Sequence, residues 1–548
     1  MKVHLLYRER DFDWQWALLA TAEREAARSG RRNYRSEDFD PRAGLPWNAE
    51  SLIADLSLET LFAAMAGDDD CIYTVARKAI LAGVKSELAT VRYRQRVLQD
   101  SLAHAEIVRE LYAIAVEAVS QQRWRYYYRA LSPHYPEAVR RDSIEQMTLF
   151  VESLKKLRRV ADAHADKFES DGYTAFFTML KRDLDEPYFA RIESHLEALK
   201  FRNGLHLSAE LGKANKGQRY VLHRLAPRRR GLREWWKGWF AEKPVSYSFD
   251  IAPRDEAGAQ ALNELRNRGV ALAASALRQA VDHVRDFFGS LRVELAFYVG
   301  CINLRERLAQ EGKPVCIPTP AGIAERRLSF QDLYDVPLAL TAGRAVIGND
   351  ANANGKDLCI ITGPNTGGKS TFLRSVGVAQ LMMQAGMFVP AKVYCGSLCD
   401  GLFTHFKREE DVVIARGKYD EELSRMSDII DHVVPHAMIL LNESFAATSE
   451  REGSEIARQI IAALIKRTIR VLCVTHMYEL AHRFEEDNEG NVLFLRAERL
   501  PDGTRTFKIR EGLPLPTSFG RDLYDKIFAT AVAHPGNSNG HAEPNAPH

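Results

Sequence analysis

The sequence has no Cys-x-x-Cys pair and no even set of cysteines. Its seven are scattered, which argues against a disulfide framework and against a zinc site. Cys395 and Cys399 stand four apart, but no matching Cys or His pair follows them. No uncharged apolar run is long enough to span a bilayer. Arg8, Glu9, Arg10 and Asp11 come where a secretory leader would be apolar, so a cytoplasmic protein with no membrane partner is expected. Excess charge of one sign is missing too. The net charge is +2, so any contact with nucleic acid is regional rather than global. One region qualifies: between Lys213 and Lys243, ten Lys or Arg stand against two acidic residues, Glu234 and Glu242.

What is present fits a globular chain of two to four domains, with 548 residues, 46% hydrophobic and 27% charged. The organising stretch is Gly363-Pro364-Asn365-Thr366-Gly367-Gly368-Lys369-Ser370-Thr371, which fits the G-x-x-x-x-G-K-[ST] loop that cradles nucleotide phosphates. Before it, Leu358 to Thr362 reads as a buried parallel strand, and after it Phe372 to Met387 reads as a helix. Strand, glycine turn and helix N-terminus aim N–H groups and the positive dipole end at an anion. Lys369 would reach the β- and γ-phosphates, and the Ser370 hydroxyl would ligate Mg²⁺.

In chain order, residues 1–54 read as a helical or irregular lead-in. A short apolar helix follows, with Leu56, Leu58, Leu61, Phe62 and Met65, ended by Gly67. A longer helix is expected from about Val84, and helices continue to about Leu199 with a break at Pro133 and Pro136. Leu205–Glu210 and Arg219–Arg224 read as two strands joined by a glycine-containing turn. Arg228-Arg229-Arg230, Trp235, Trp236, Lys237 and Trp239 then mix cations with aromatics. Two readings of that insert stay open: phosphate and base contact through Arg228, Arg229, Arg230 and Lys237, or a solvated hairpin whose tryptophans pack beneath it. From Glu256 to Glu311, Val270, Ala274, Leu277, Val281, Val284, Phe288, Leu291, Leu295 and Tyr298 keep a heptad seam. Such a helix is roughly 80 Å long, a length that suits a lever or a stalk. Pro318 and Pro320 read as a linker.

Strands and helices alternate from about Leu338 to Phe528. Ala437–Leu441 is an apolar strand ending in Asn442-Glu443. Nucleotide hydrolases place one carboxylate there for the metal shell and one to position or deprotonate water. Glu443 is the candidate base, and Asn442 leaves the metal position without its charge. A second apolar strand, Arg470–Thr475, ends in His476, either a γ-phosphate sensor or a structural histidine. The stretch from Thr530 to His548 is expected to be disordered.

These residues carry a family resemblance. Ile361–Arg374, Gln384–Ala391 (Gln-Ala-Gly-Met-Phe-Val-Pro-Ala) and Thr475–Ala481 (Thr-His-Met-Tyr-Glu-Leu-Ala) resemble the ATPase domain of the MutS family of mismatch-repair proteins over residues 340–530. Tyr93–Asp100 and the heptad helix resemble the family's core and lever helices more loosely. The resemblance implies a C-terminal α/β P-loop ATPase domain of the ABC type, preceded by an all-α core and lever domain with long coiled-coil-like helices and a small β-containing basic insert. It implies a homodimer binding ATP and Mg²⁺ between subunits, with ATP controlling the grip on mismatched, branched or distorted duplex DNA in repair or recombination. Asn365 would contact the γ-phosphate, Glu443 would activate water, and His476 would be the switch histidine. Arg416–Ser424 occupies the place of the loop that reaches the partner's nucleotide, with Tyr419 and Glu422 matching.

The departures are that the usual Asp-Glu pair is Asn442-Glu443 and that the glycines after it are replaced by Ser444–Ser449. Slow hydrolysis is therefore expected. No mismatch-reading Phe-x-Glu segment is found near the start, Phe240-Ala241-Glu242 being a mid-chain coincidence, and no nuclease-like domain is found after the ATPase. The expected division is 1–54 lead-in, 55–337 helical core and lever, with 204–253 as the insert in place of the clamp, 338–529 ATPase domain and 530–548 tail. The rival reading is an ABC-type ATPase working as a nucleotide-switched protein-interaction clamp without DNA.

Overall fold

The computed structural model describes residues 1–9, 13–29, 44–129, 135–202, 204–213, 217–223, 250–252, 254–342, 346–407, 417–486, 491–500 and 504–515. Arg228, Arg229, Arg230, Lys237, the Phe240–Glu242 tripeptide and the expected tail all lie outside these residues. The chain divides into two compact units, residues 1–39 with 99–299, and residues 40–98 with 300–548.

In chain order the helices are α1 (Trp14–Ser29), α2 (Ala49–Asp55), α3 (Leu58–Ala66), α4 (Asp70–Ala82), α5 (Leu88–Ala103), α6 (Ala105–Arg129), α7 (Pro136–His164), α8 (Asp171–Asp183), α9 (Glu186–Leu199) and α10 (Glu256–Gln310). Helix α3 ends at Gly67 as its sequence requires. Helix α4 was not expected. Its start is fixed by Asp69, whose carboxylate accepts the N–H groups of Cys71 and Ile72 at 2.8 and 3.3 Å. Val84, expected to open the next helix, sits in a 3₁₀ turn over 83–85, and α5 begins at Leu88.

The first unit is a helical bundle with a small hairpin. Helix α7 buries Ile144, Met147, Phe150, Val151, Leu154 and Leu157, an amphipathic spacing that faces a core. Phe150 stacks on Phe288 of α10, with ring centroids 5.6 Å apart. The heptad positions of α10 are buried except for Leu277, which is half-buried. Between 281 and 299, off-seam Phe287, Val293, Ala296, Phe297 and Val299 are buried as well. That stretch is therefore largely a core helix, with its polar residues Asp282, His283, Arg285 and Asp286 on an exposed or half-buried side, whereas residues 256–268 stay exposed or half-buried. One 18-residue window of α10 is apolar enough to cross a membrane by composition, and 83% of it is buried within the protein. Glu294 on α10 accepts the N–H groups of Leu5 and Leu6 at 2.9 and 2.5 Å, which fixes the start of the chain. The two strands expected in the insert form as β1 (Leu207–Leu211) and β2 (Gly217–Leu222), an antiparallel pair.

The second unit carries two sheets. Its strands are β3 (Thr319–Ala321), β4 (Leu328–Leu333), β5 (Asn349–Asn352), β6 (Leu358–Thr362), β7 (Val393–Ser397), β8 (Leu402–Phe406), β9 (Met438–Asn442), β10 (Arg470–Val474), β11 (Val492–Arg499) and β12 (Arg505–Glu511). Six of them form a mixed sheet in the order β12-β11-β6-β10-β9-β8, parallel except for the β11–β12 pair. Strands β6 and β10, in the middle of the sheet, and β8 at its edge are buried along their whole length, as parallel strands covered on both faces are. The helices of this part are α11 (Val336–Thr341), α12 (Lys369–Gln384), α13 (Lys418–His432), α14 (Glu450–Lys466) and α15 (Tyr478–Glu486). Ala457, Ile461 and Leu464 of α14 pack into one core with Ile439, Leu441, Val471 and Cys473.

The remaining four strands make a second sheet, β3-β7-β4-β5. It moves the boundary placed at 337/338, because β4 ends before that point and β5 pairs with it after. Pro320 is not linker but part of β3. An edge strand tolerates the missing N–H.

Candidate functional site

Strand β6 delivers the chain to a turn over 363–368, and α12 starts at Lys369. Three glycines make that turn possible. Gly363 has φ +118°, and a Cβ there would come within 3.0 Å of Ala497 on β11. At Gly367 a Cβ would meet Ala497 and the Pro364 carbonyl, both at 2.9 Å, and Gly368 caps the helix at φ +91°. Thr366 takes a left-handed φ of +59° despite its branched side chain, a strained backbone of the kind held at ligand sites.

Lys369 is buried, and its ammonium folds back to donate to the carbonyls of Gly363 (2.9 Å) and Pro364 (3.1 Å). Burial holds its pKa below the ordinary 10.5, and the charge of Glu443 opposes that shift. The Ser370 hydroxyl donates to Asn442 Oδ1 at 2.8 Å. The two residues read from the sequence as metal positions are thus in contact, both offering oxygen. Mg²⁺ favours oxygen ligands and keeps several waters, so this pair suits it, though Asn442 brings no charge. Arg374, a turn further along α12, pairs with buried Asp335 at 2.6 Å, and Asp335 also caps α11 by accepting the Leu338 N–H.

A cavity of about 470 Å³ opens over this loop. Gly367, Gly368, Lys369 and Ser370 form its floor, Glu443 borders it, and Ile347, Leu338 and Phe507 give it an apolar side. Ligands of open α/β sheets lie at the carboxyl ends of the strands, and β6 and β9 both end here. His476 is exposed in the turn after β10 and is not among the residues lining the cavity. Its neighbour Thr475 donates its N–H to the Ile361 carbonyl at 3.1 Å, which keeps the turn beside the phosphate-type loop.

The loop after β9 is braced from within. Glu443 and Phe445 have φ of +53° and +64°, and the Glu443 N–H donates to the Val474 carbonyl at 2.9 Å. His405 of β8 is fully buried, with Nδ1 2.7 Å from the Ser444 hydroxyl and Nε2 donating to the Glu422 carbonyl at 3.1 Å. Its ring stacks on Phe445, 5.6 Å between centroids. Glu422, which matches the family's partner-reaching loop in sequence, is placed within a helix of its own chain. It lies on α13, buried against its own chain. Burial raises its carboxyl pKa, while Lys407, the N–H groups of Phe445 and Ala447, and Arg425 pull the other way. A carboxyl with a raised folded pKa adds stability below its ordinary 4.5 and loses it as pH rises through the folded value. Glu422→Gln is therefore expected to melt about 2 °C above the parent at pH 8, with the difference vanishing toward pH 4; thermal melts across that range check it. Sequence reasoning missed His405 because a histidine inside an apolar strand gives no periodic signal.

A central parallel sheet, a glycine loop leading into a helix, and a serine–asparagine pair beside a glutamate define an α/β domain of the ATPase class. MutS domain V matches residues 359–522, and the MutS2 N-terminal domain matches residues 86–311. The chain is 29% identical over 267 residues to the DNA mismatch repair protein MutS of Chloroflexus aurantiacus, covering 43% of this chain and 27% of that protein. With MutS of Microcystis aeruginosa it shares 30% over 275 residues, 44% of this chain and 30% of that protein. With MutS of Thermotoga sp. (strain RQ2) it shares 39% over 127 residues, 23% of this chain and 16% of that protein. The chain spans less than a third of the length of these curated relatives. It is a divergent member of the MutS family.

Proposed function

We propose that this chain binds and hydrolyses ATP with Mg²⁺, between two copies of itself, and that nucleotide state sets its grip on mismatched, branched or otherwise distorted duplex DNA. The observation that carries the reading is one cavity bordered by the 366–371 loop, Glu443 and Phe507. The N–H groups at the start of α12 and the helix dipole favour the phosphates, and Phe507 with Ile347 offers an apolar wall to the base. Lys369 exchanges the Gly363 and Pro364 carbonyls for phosphate oxygens. Ser370 and Asn442 would hold Mg²⁺, which supplies neutralising charge on the phosphates when bound. Glu443 takes the proton of the attacking water, Asn365 contacts the γ-phosphate, and His476 senses it. Arg228, Arg229, Arg230 and Lys237 are the proposed DNA phosphate contacts, and the cytoplasm is the proposed compartment.

Steady-state ATP hydrolysis by the purified chain, alone and with linear, mismatched or branched duplex, tests both halves. Hydrolysis stimulated several-fold by a distorted duplex and absent in Lys369→Ala is the expected result. Hydrolysis indifferent to every DNA form would replace the DNA reading with the protein-interaction clamp, and no ATP binding at all would remove the nucleotide reading.

A further inference from the structure

We propose that Arg505 supplies a second cation to the polyphosphate of the bound nucleotide, an inference that rests on the ATP reading. Arg505 opens β12, far from the glycine loop in sequence. Phe507, two residues further along β12, lines the cavity, and a break in register with β11 separates the two positions; Arg505 is placed by its own contact with the loop. The β11–β12 hairpin is pressed against the loop: Ala497 fills the space that side chains at Gly363 and Gly367 would need, and Phe507 stands over Gly368. At the loop's tip the Arg505 guanidinium donates to the Thr366 hydroxyl. That hydroxyl spends its own proton on the Asn365 carbonyl at 2.7 Å, so it stands as an acceptor toward the arginine.

Charge sets Arg505 apart from the rest of β12. Arg510 pairs with Glu498 at 2.6 Å, Thr506 donates to the same carboxylate at 2.8 Å, and Lys508 donates to the Gly348 carbonyl. Arg505 has no carboxylate partner among the described residues. Most of its N–H donors are still available, and a planar guanidinium fork matches phosphate oxygens in a way a lysine does not. Arg505 is exposed and packs little, so its charge stays hydrated and open to an incoming anion. Its position suits a polyphosphate threaded between the start of α12 and the hairpin, with Lys369 on the loop side and Arg505 on the hairpin side.

Binding of MgATP and of adenosine to the full chain by calorimetry tests this, with Arg505→Ala and Arg505→Lys alongside the parent. Arg505→Ala is expected to weaken MgATP about tenfold, the scale of one lost charge-assisted contact, and to leave adenosine unchanged, and Arg505→Lys recovers part of the loss. The proposal is overturned if Arg505→Ala binds MgATP like the parent, or if it weakens adenosine by the same factor as MgATP, since the arginine then only holds the loop. A parent chain that binds no ATP fails the nucleotide reading itself, and this inference falls with it.

Discussion

Glu443→Gln is expected to lower ATP turnover by roughly 10²–10⁴-fold, the range that positioned proton transfer contributes, while MgATP still binds. Glutamine keeps the shape of the side chain and can hold a water, but cannot take its proton. The backbone argues for this role. Glu443 sits at φ +53° directly after β9, pinned through its N–H to the Val474 carbonyl, and a left-handed glutamate is a strain that packing must sustain. Here the packing is visible: Ser444 is tied to both His405 Nδ1 and the His405 carbonyl, at 2.7 and 2.9 Å, and Phe445 is buried against the same ring. The carboxylate thus borders the cavity on a braced loop, as a general base requires. Single-turnover hydrolysis alongside equilibrium ATP binding checks the split. If turnover and affinity fall together, Glu443 is a binding residue; if turnover is unchanged, the base lies elsewhere.

How much of this site the sequence discloses follows from how local each part is. The glycine loop is legible because its constraint is local: Gly363 and Gly368 need left-handed backbone, and Gly367 cannot carry a Cβ. The hairpin of the insert and the span of α10 are legible for the same reason, since turn residues and a seven-residue period are properties of contiguous chain. The hairpin side of the site is not. Ala497, Arg505 and Phe507 reach the loop only because the sheet order sets β11 beside β6 and β12 beside β11, a pairing that no short stretch encodes. The burial of Glu422 is hidden in the sequence for a related reason. In sequence it belongs to a charged segment that reads as surface, and only the packing of α13 against β8 turns it inward beside His405. Pro320 misleads in the opposite direction, since a residue that usually interrupts a strand is harmless in an edge strand such as β3. For α4 the signal was present in Asp69 and in the helical spacing of Ile72, Val75, Ala76 and Ala79, all buried apart from the cap itself.

Lys369→Met is expected to abolish stabilisation by MgATP while leaving the nucleotide-free protein as stable as the parent, or more so. In the parent, ligand at a hundred times its dissociation constant adds about 2.7 kcal/mol, a shift plain in any thermal melt. Among the described residues, Lys369 is the one cation lining the cavity, and it is held there by two carbonyl oxygens rather than by a carboxylate contact. Burial disfavours its charged form and keeps its pKa below 10.5. The unfolded chain then binds more protons than the native one between the lowered value and 10.5, so native stability rises with pH across that window. Below it the full desolvation cost is present and offsets what the two carbonyl contacts contribute. Methionine removes that cost and fills similar space with an unbranched apolar chain. Any advantage of the methionine variant in the absence of nucleotide should therefore shrink as pH approaches 10.5. Bound phosphates reverse the balance, because they give the ammonium the counter-charge it lacks and draw its pKa back up. Thermal melts of parent and variant, with and without MgATP, at neutral pH and near pH 10, separate the contributions. A nucleotide-free variant melting several degrees lower would make the carbonyl contacts the structural purpose of Lys369, and a retained ATP shift would remove it from the phosphate site.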